Sequence, residues 1–162
     1  MTTPAATDAE DMRDLMRIWL RLLRLDAGIG VGVGHRLRGL GLSIPQFDVL
    51  STLTEQDGIT QQQLAARLYV TKGNVSGLVN RLAENGLVKR SPIAGDRRSY
   101  ALSLTAKGRA MAQAGIRTHE AYVRETLGRM PKGERELFNA LLVKLRDAVR
   151  EAEASGAAGA TA

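Results

Sequence analysis

Two short stretches hold side chains whose types and spacing suit contact with a phosphate polymer. In the first, Thr71, Lys72, Gly73, Asn74, Ser76, Gly77, Asn80 and Arg81 surround Val75, Leu78, Val79 and Leu82, which fall at i, i+3, i+4 and i+7. On a helix that spacing turns the apolar four to one side and leaves small or hydrogen-bonding groups on the other side and its flanks. Such a face suits the major groove of DNA, where small residues admit close approach and amides or a guanidinium read base edges. An ordinary exposed helix is richer in lysine and glutamate. The second stretch, Pro92 to Arg98, is turn-forming and ends in two adjacent arginines, Arg97 and Arg98. Guanidinium groups on a tight loop reach the minor groove, where negative potential attracts them. Asp96 is an acid at that tip, and its position is explained if it orients a neighbouring arginine through a charge-assisted hydrogen bond.

The charge distribution agrees. The chain has 162 residues and a formal net charge of +6. Residues 60–109 carry nine basic groups against Glu84 and Asp96, a net of +7, while 1–59 carry −2 and 110–162 carry +1. A compact basic segment is the electrostatic footprint of a polyanion binder, because each neutralised phosphate releases counterions. Other chemistries find little support. There is no cysteine and there are only two histidines, His35 and His119, which argues against thiol chemistry and transition-metal sites. No carboxylate pair stands beside a plausible base and no Ser-His-Asp set is legible, so neither enzyme nor cofactor is expected. No apolar run approaches the length of a membrane span, and the N-terminus is acidic, so the expected location is cytoplasmic.

These groups need elements to position them. Met12, Leu15, Met16, Trp19, Leu22 and Leu23 repeat at helical spacing and predict a first helix. Glycines 28, 30, 32 and 34 follow, a run that costs a helix roughly 3–4 kcal/mol relative to alanine, so either the helix breaks there or another backbone packs close. The run follows no strand and does not match a G-x-G-x-x-G phosphate loop. Pro45 opens a second helix that Asp57-Gly58 ends, and Thr60 with Gln63 makes a capping box for a third. The fourth runs from near Thr71 to about Glu84. Leu87 to Ser91 and Ser99 to Leu104 read as two strands flanking the arginine turn, with Tyr100, Leu102 and Leu104 on one face. A fifth helix reaches about Arg129, and a sixth spans about Lys132 to Glu153.

Three helices followed by a basic hairpin describe a winged helix-turn-helix. The run Thr71 to Leu82, followed by Gly86-Leu87-Val88, Asp96-Arg97-Arg98-Ser99-Tyr100 and Leu104-Thr105-Ala106-Lys107-Gly108, closely resembles the MarR family of bacterial regulators. The resemblance covers a little under half the chain. It implies that the fourth helix reads the major groove, that Asp96 braces the wing, and that Arg98 with Arg97 enters the minor groove. It further implies a homodimer built from the N- and C-terminal helices. The expected fold is mainly α with a small β-hairpin wing. Its divisions are a dimerisation helix and connector in 1–42, the DNA-binding domain in 43–108, C-terminal dimerisation helices in 109–153 and an unstructured tail in 154–162.

Apolar stripes on the first and sixth helices support the homodimer independently, since the small reading domain cannot cover both. A twofold pair would set its reading helices about 34 Å apart, one turn of duplex DNA, which predicts a pseudo-palindromic operator. The resemblance implies release from DNA by a small apolar or aromatic-acid effector bound where helices 1, 2 and 5 meet, with Trp19, His35, Phe47 and His119 as candidate lining. For each the plainer reading is the stronger: Trp19 and Phe47 sit on apolar stripes and are most simply core, and the histidines are more simply surface groups than ligands. The expected function is a sequence-specific regulator, a repressor by promoter occlusion. The alternatives are a nonspecific architectural DNA binder and a winged-helix protein-interaction module.

Overall fold

The computed structural model describes residues 4–93 and 95–159, with side chains for all of these except 4–7, 72, 96–98 and 156–159. The elements in order are α1 (Pro4–Arg38), α2 (Ile44–Glu55), β1 (Ile59–Thr60), α3 (Gln61–Arg67), α4 (Lys72–Glu84), β2 (Val88–Ile93), β3 (Asp96–Leu104) and α5 (Ala106–Glu125), followed by a 3-10 turn (Leu127–Arg129) and α6 (Lys132–Gly159). The strands form an antiparallel sheet in the order β1-β3-β2. The chain divides into two compact units, one ending at Glu120 and one beginning at Ala121.

Local chemistry places the helix starts. Ser43 and Gln46 exchange bonds at the head of α2, with the Ser43 N–H donating to Gln46 Oε1 at 2.9 Å. Thr60 and Gln63 do the same for α3. Each pair satisfies backbone donors that an isolated helix leaves open. The first unit then closes over Leu37, Val49, Leu50, Leu53, Leu64, Val75, Val79, Leu82 and Leu102, all fully buried. Side chains of this size contribute about 1.5–3 kcal/mol each on burial. The helix-turn-helix is therefore fixed from within, which leaves its polar face available to a partner.

Several expectations need correction. The glycine run does not break α1, which starts at Pro4 rather than Met12 and continues to Arg38. No other segment approaches Gly28 or Gly30, since a Cβ at either meets nothing within 4 Å. Packing at the helix's C-terminal end outweighs the propensity cost: Val33, Gly34 and Leu37 are buried, and a Cβ on Gly34 would touch Ile44 of α2 at 3.4 Å. The hairpin is longer than its turn residues imply. Ile93 pairs with Asp96 after a register shift at Pro92/Ile93, so the backbone of residues 96–98 lies in β3 rather than in the turn. A bulge accommodates proline, which has no N–H to give the ladder. Tyr100 does not share the burial of Leu102 and Leu104, being 48% exposed. The reason is that β1 pairs only with Leu102 and Ala101, leaving the outer hairpin uncovered on that edge.

In the second unit α5 ends at Glu125, short of Arg129, where the Thr126 hydroxyl donates to the Tyr122 carbonyl at 2.8 Å and the chain enters the 3-10 turn. Helix α6 runs past Glu153 to Gly159, so residues 154–159 of the expected unstructured tail are helical; Ala154, Ala157 and Ala158 favour that continuation, while Gly156 and Gly159 oppose it. Among the described residues no helix is long and apolar enough to cross a membrane.

Candidate nucleic-acid interface

The site is built on α4. Thr71 precedes it in extended backbone and accepts a hydrogen bond from the Asn74 N–H at 3.4 Å, so its hydroxyl starts the helix. Val75, Val79 and Leu82 then bury one side, while Leu78 is half-buried. The other side presents Gly73, Asn74, Asn80 and Arg81 exposed and Ser76 and Gly77 partly so. This is the division that the spacing predicts. From Gly58 to Ala83 there is no carboxylate at all, so nothing acidic from α3, the turn or most of α4 repels a phosphate.

Two polar side chains of this face have partners in the fold. Ser76 Oγ donates to Gln61 Oε1 of α3 at 3.0 Å, and Asn80 Oδ1 accepts a hydrogen bond from Arg90 Nη2 of β2. Both line a cleft of about 310 Å³ between α3, α4 and the hairpin, together with Thr60, Tyr100 and others, and none of its lining residues is acidic. Sequence reasoning missed Arg90. It stands ten residues from Asn80, in another element, and only the packing of β2 against α4 brings them together.

Behind α4 the chain turns sharply at Gly86 (φ +68). The Thr105 hydroxyl donates to the Gly86 carbonyl at 2.7 Å, and Lys107 Nζ donates to the Asn85 carbonyl at 2.9 Å. Lys107 thus serves the negative end of α4, and one cation of the basic segment is committed to the fold. The wing hairpin springs from this junction. The side chains of Lys72, Asp96, Arg97 and Arg98 lie outside the described residues.

The four candidate effector residues do not form one site. Phe47 is buried on α2, and His119 of α5 meets it edge-on at 5.6 Å and 81°. Gly115 makes the room, since a Cβ there would sit 2.6 Å from the Phe47 ring. Asp48, beside them and half-buried, has its carboxyl pushed above the ordinary value of 3.8 by loss of water, partly opposed by attraction to His119. Trp19 and His35 are both exposed on α1. At 1.5 Å per residue they lie about 24 Å apart along that helix, too far to line one small pocket within a single chain.

A capped helix with a polar outer face, seated between a short partner helix and an antiparallel hairpin, defines a winged helix-turn-helix. A family model described as MarR family matches residues 40–99. The transcriptional regulator HosA of Escherichia coli is 33% identical over 104 residues, covering 64% of this chain and 77% of its own. The HTH-type transcriptional repressor Rv2887 of Mycobacterium tuberculosis is 30% identical over 124 residues, covering 76% and 89%. The crystal structure of Rv2887 in complex with DNA superposes with a TM-score of 0.63 at 28% identity, over 78% of this chain and 94% of that one. CouR from Rhodococcus jostii RHA1, bound to p-coumaroyl-CoA, superposes at 0.67 with 25% identity, over 82% and 89%. The chain belongs to the MarR family of winged-helix transcriptional regulators.

Proposed function

We propose that this protein represses transcription by binding a pseudo-palindromic operator as a homodimer. One observation carries the reading: α4 buries Val75, Val79 and Leu82 completely and leaves beside the hairpin a polar face whose one carboxylate is Glu84, at the helix's last residue. Thr71, Lys72, Asn74, Ser76, Gly77, Asn80 and Arg81 would meet the major groove, directly or through their partners. Arg97 and Arg98, braced by Asp96, would enter the minor groove. Pairing is supported by apolar side chains left exposed in each unit, Met12, Leu15, Ile18 and Trp19 on α1 and Leu137, Leu141 and Leu145 on α6. Rv2887, a relative named as a repressor, has been crystallised on DNA.

Release would come from a small aromatic or apolar acid bound beside Phe47 and His119, where α1, α2 and α5 converge through Leu37, Phe47 and Gly115. CouR is bound to p-coumaroyl-CoA, a thioester rather than a free acid, whose aromatic acyl group supports the aromatic part of that chemistry. Such a ligand shifts DNA affinity only by its difference in affinity for the two states. Selection of duplexes from a random pool by the purified protein tests the reading. Enrichment of an inverted repeat is expected. Equal retention of all sequences would mark an architectural binder, and no retention would leave a protein-interaction module.

A further inference from the structure

The turn joining α3 to α4 contains one side chain that the fold does not use. Tyr69 has φ +53, the left-handed region in which a Cβ crowds the backbone. At the other described positive-φ positions, 41, 58, 86 and 95, the chain has glycine. Tyr69 is also 90% exposed, so its ring gains almost nothing from the core to offset the strain. Its N–H donates to the Ala66 carbonyl at 3.4 Å, a bond that glycine would make equally well. The turn needs the backbone shape but not the phenol.

Location suggests what the phenol meets. Thr71, two residues on, caps the end of α4 that enters the groove in the function proposed above. Arg67 is exposed just before the turn, and the surrounding sequence has no carboxylate. A phenolic hydroxyl is a neutral donor on a rigid arm, one of the groups that hold a protein's register on phosphate oxygens. We propose that the Tyr69 hydroxyl donates to a backbone phosphate of the bound duplex and that the strained turn is retained for that contact. The inference rests on the DNA-binding reading.

The test uses the full chain, Tyr69→Phe and Tyr69→Gly, with fluorescence anisotropy on a duplex selected from a random pool and on its scrambled counterpart. Tyr69→Phe should weaken both complexes by about 25-fold or more, since the homodimer loses two hydrogen bonds to phosphate, each worth about fivefold or more. Its thermal midpoint should not change, and neither should the slope of affinity against salt, since no charge is removed. Tyr69→Gly should bind at least as weakly while melting at an equal or higher temperature. Affinity of Tyr69→Phe within twofold of wild type on both duplexes would overturn the contact, leaving the ring for some other partner. A loss confined to the selected duplex would overturn it in favour of base reading. If the wild type retains neither duplex, the DNA reading itself fails, an outcome distinct from the other two.

Discussion

Gly77→Ala is expected to move stability and DNA affinity in opposite directions. Gly77 lies in the interior of α4, and a Cβ built on it meets nothing within 4 Å. Alanine there replaces one of the poorest helix formers by the best, a gain of about 0.8–1.0 kcal/mol. For a chain of this size that raises the thermal midpoint by about 2–4 °C. Gly77 also stands three residues from both Asn74 and Asn80, on the strip of α4 that would approach the groove floor in the proposed function. A methyl inserted into a close-packed contact costs about 1–3 kcal/mol at each reading helix, roughly a 5- to 150-fold loss of affinity per half-site at 25 °C. Circular dichroism melts of the DNA-free protein and anisotropy titrations with the selected duplex read the two effects separately. A lower melting temperature would refute the open space at Gly77, and unchanged or tighter DNA binding would refute its place against the duplex.

Gly108→Ala should do the reverse of a harmless substitution, because its Cβ would lie 1.8 Å from the Leu87 carbonyl oxygen and 2.8 Å from that carbonyl carbon. Backbone at the root of the wing must then move by more than about 1 Å, and the loss should exceed about 3 kcal/mol. Urea unfolding measures it, with a wild-type midpoint ruling that packing out. Asp48→Asn should stabilise the protein at neutral pH. Burial raises the folded carboxyl above 3.8, so the native state resists ionisation and loses stability as pH rises from the unfolded value through the raised one. The variant's advantage should therefore be complete above that window and vanish in acid below about 3.8; a difference independent of pH would contradict the assignment. Asn80→Ala and Arg90→Ala should be coupled through their shared hydrogen bond, so that the double variant binds DNA no more weakly than Arg90→Ala alone. Additive losses, with relaxed preference at one base pair, would instead make Asn80 an independent base reader.

The parts of this fold legible in the sequence are those governed by neighbours in the chain. Thr60 with Gln63 announces the start of α3, and Thr71 that of α4, because a cap acts within one turn. Val75, Val79 and Leu82 announce the buried side of α4 because helical period is a local property. What escaped depends on distant partners. Strand β1 is two residues long and exists only because Ile59 and Thr60 pair with β3. The glycine run looked costly by propensity, yet α1 continues through it, anchored by Val33 and Leu37. The strands of the wing extend into the stretch whose residue types predict a turn, because a bulge at Pro92/Ile93 lets pairing continue to Asp96. For the site, the polar face of α4 could be read directly, but its tether from Arg90 and the demand of Lys107 on the helix end arise only on folding. Trp19 and His35 are candidates by residue type, and their separation of about 24 Å along α1 keeps the two from lining one small pocket together in a single chain.

Hydroxyl-radical footprinting on a duplex selected by the protein tests the central claim most directly, since it maps contact along both strands nucleotide by nucleotide. Two symmetry-related patches centred about 34 Å apart are expected from the paired α4 helices, each flanked outward by minor-groove protection from a wing. A single unpaired patch, or uniform protection along the fragment, would contradict a twofold reader of this form.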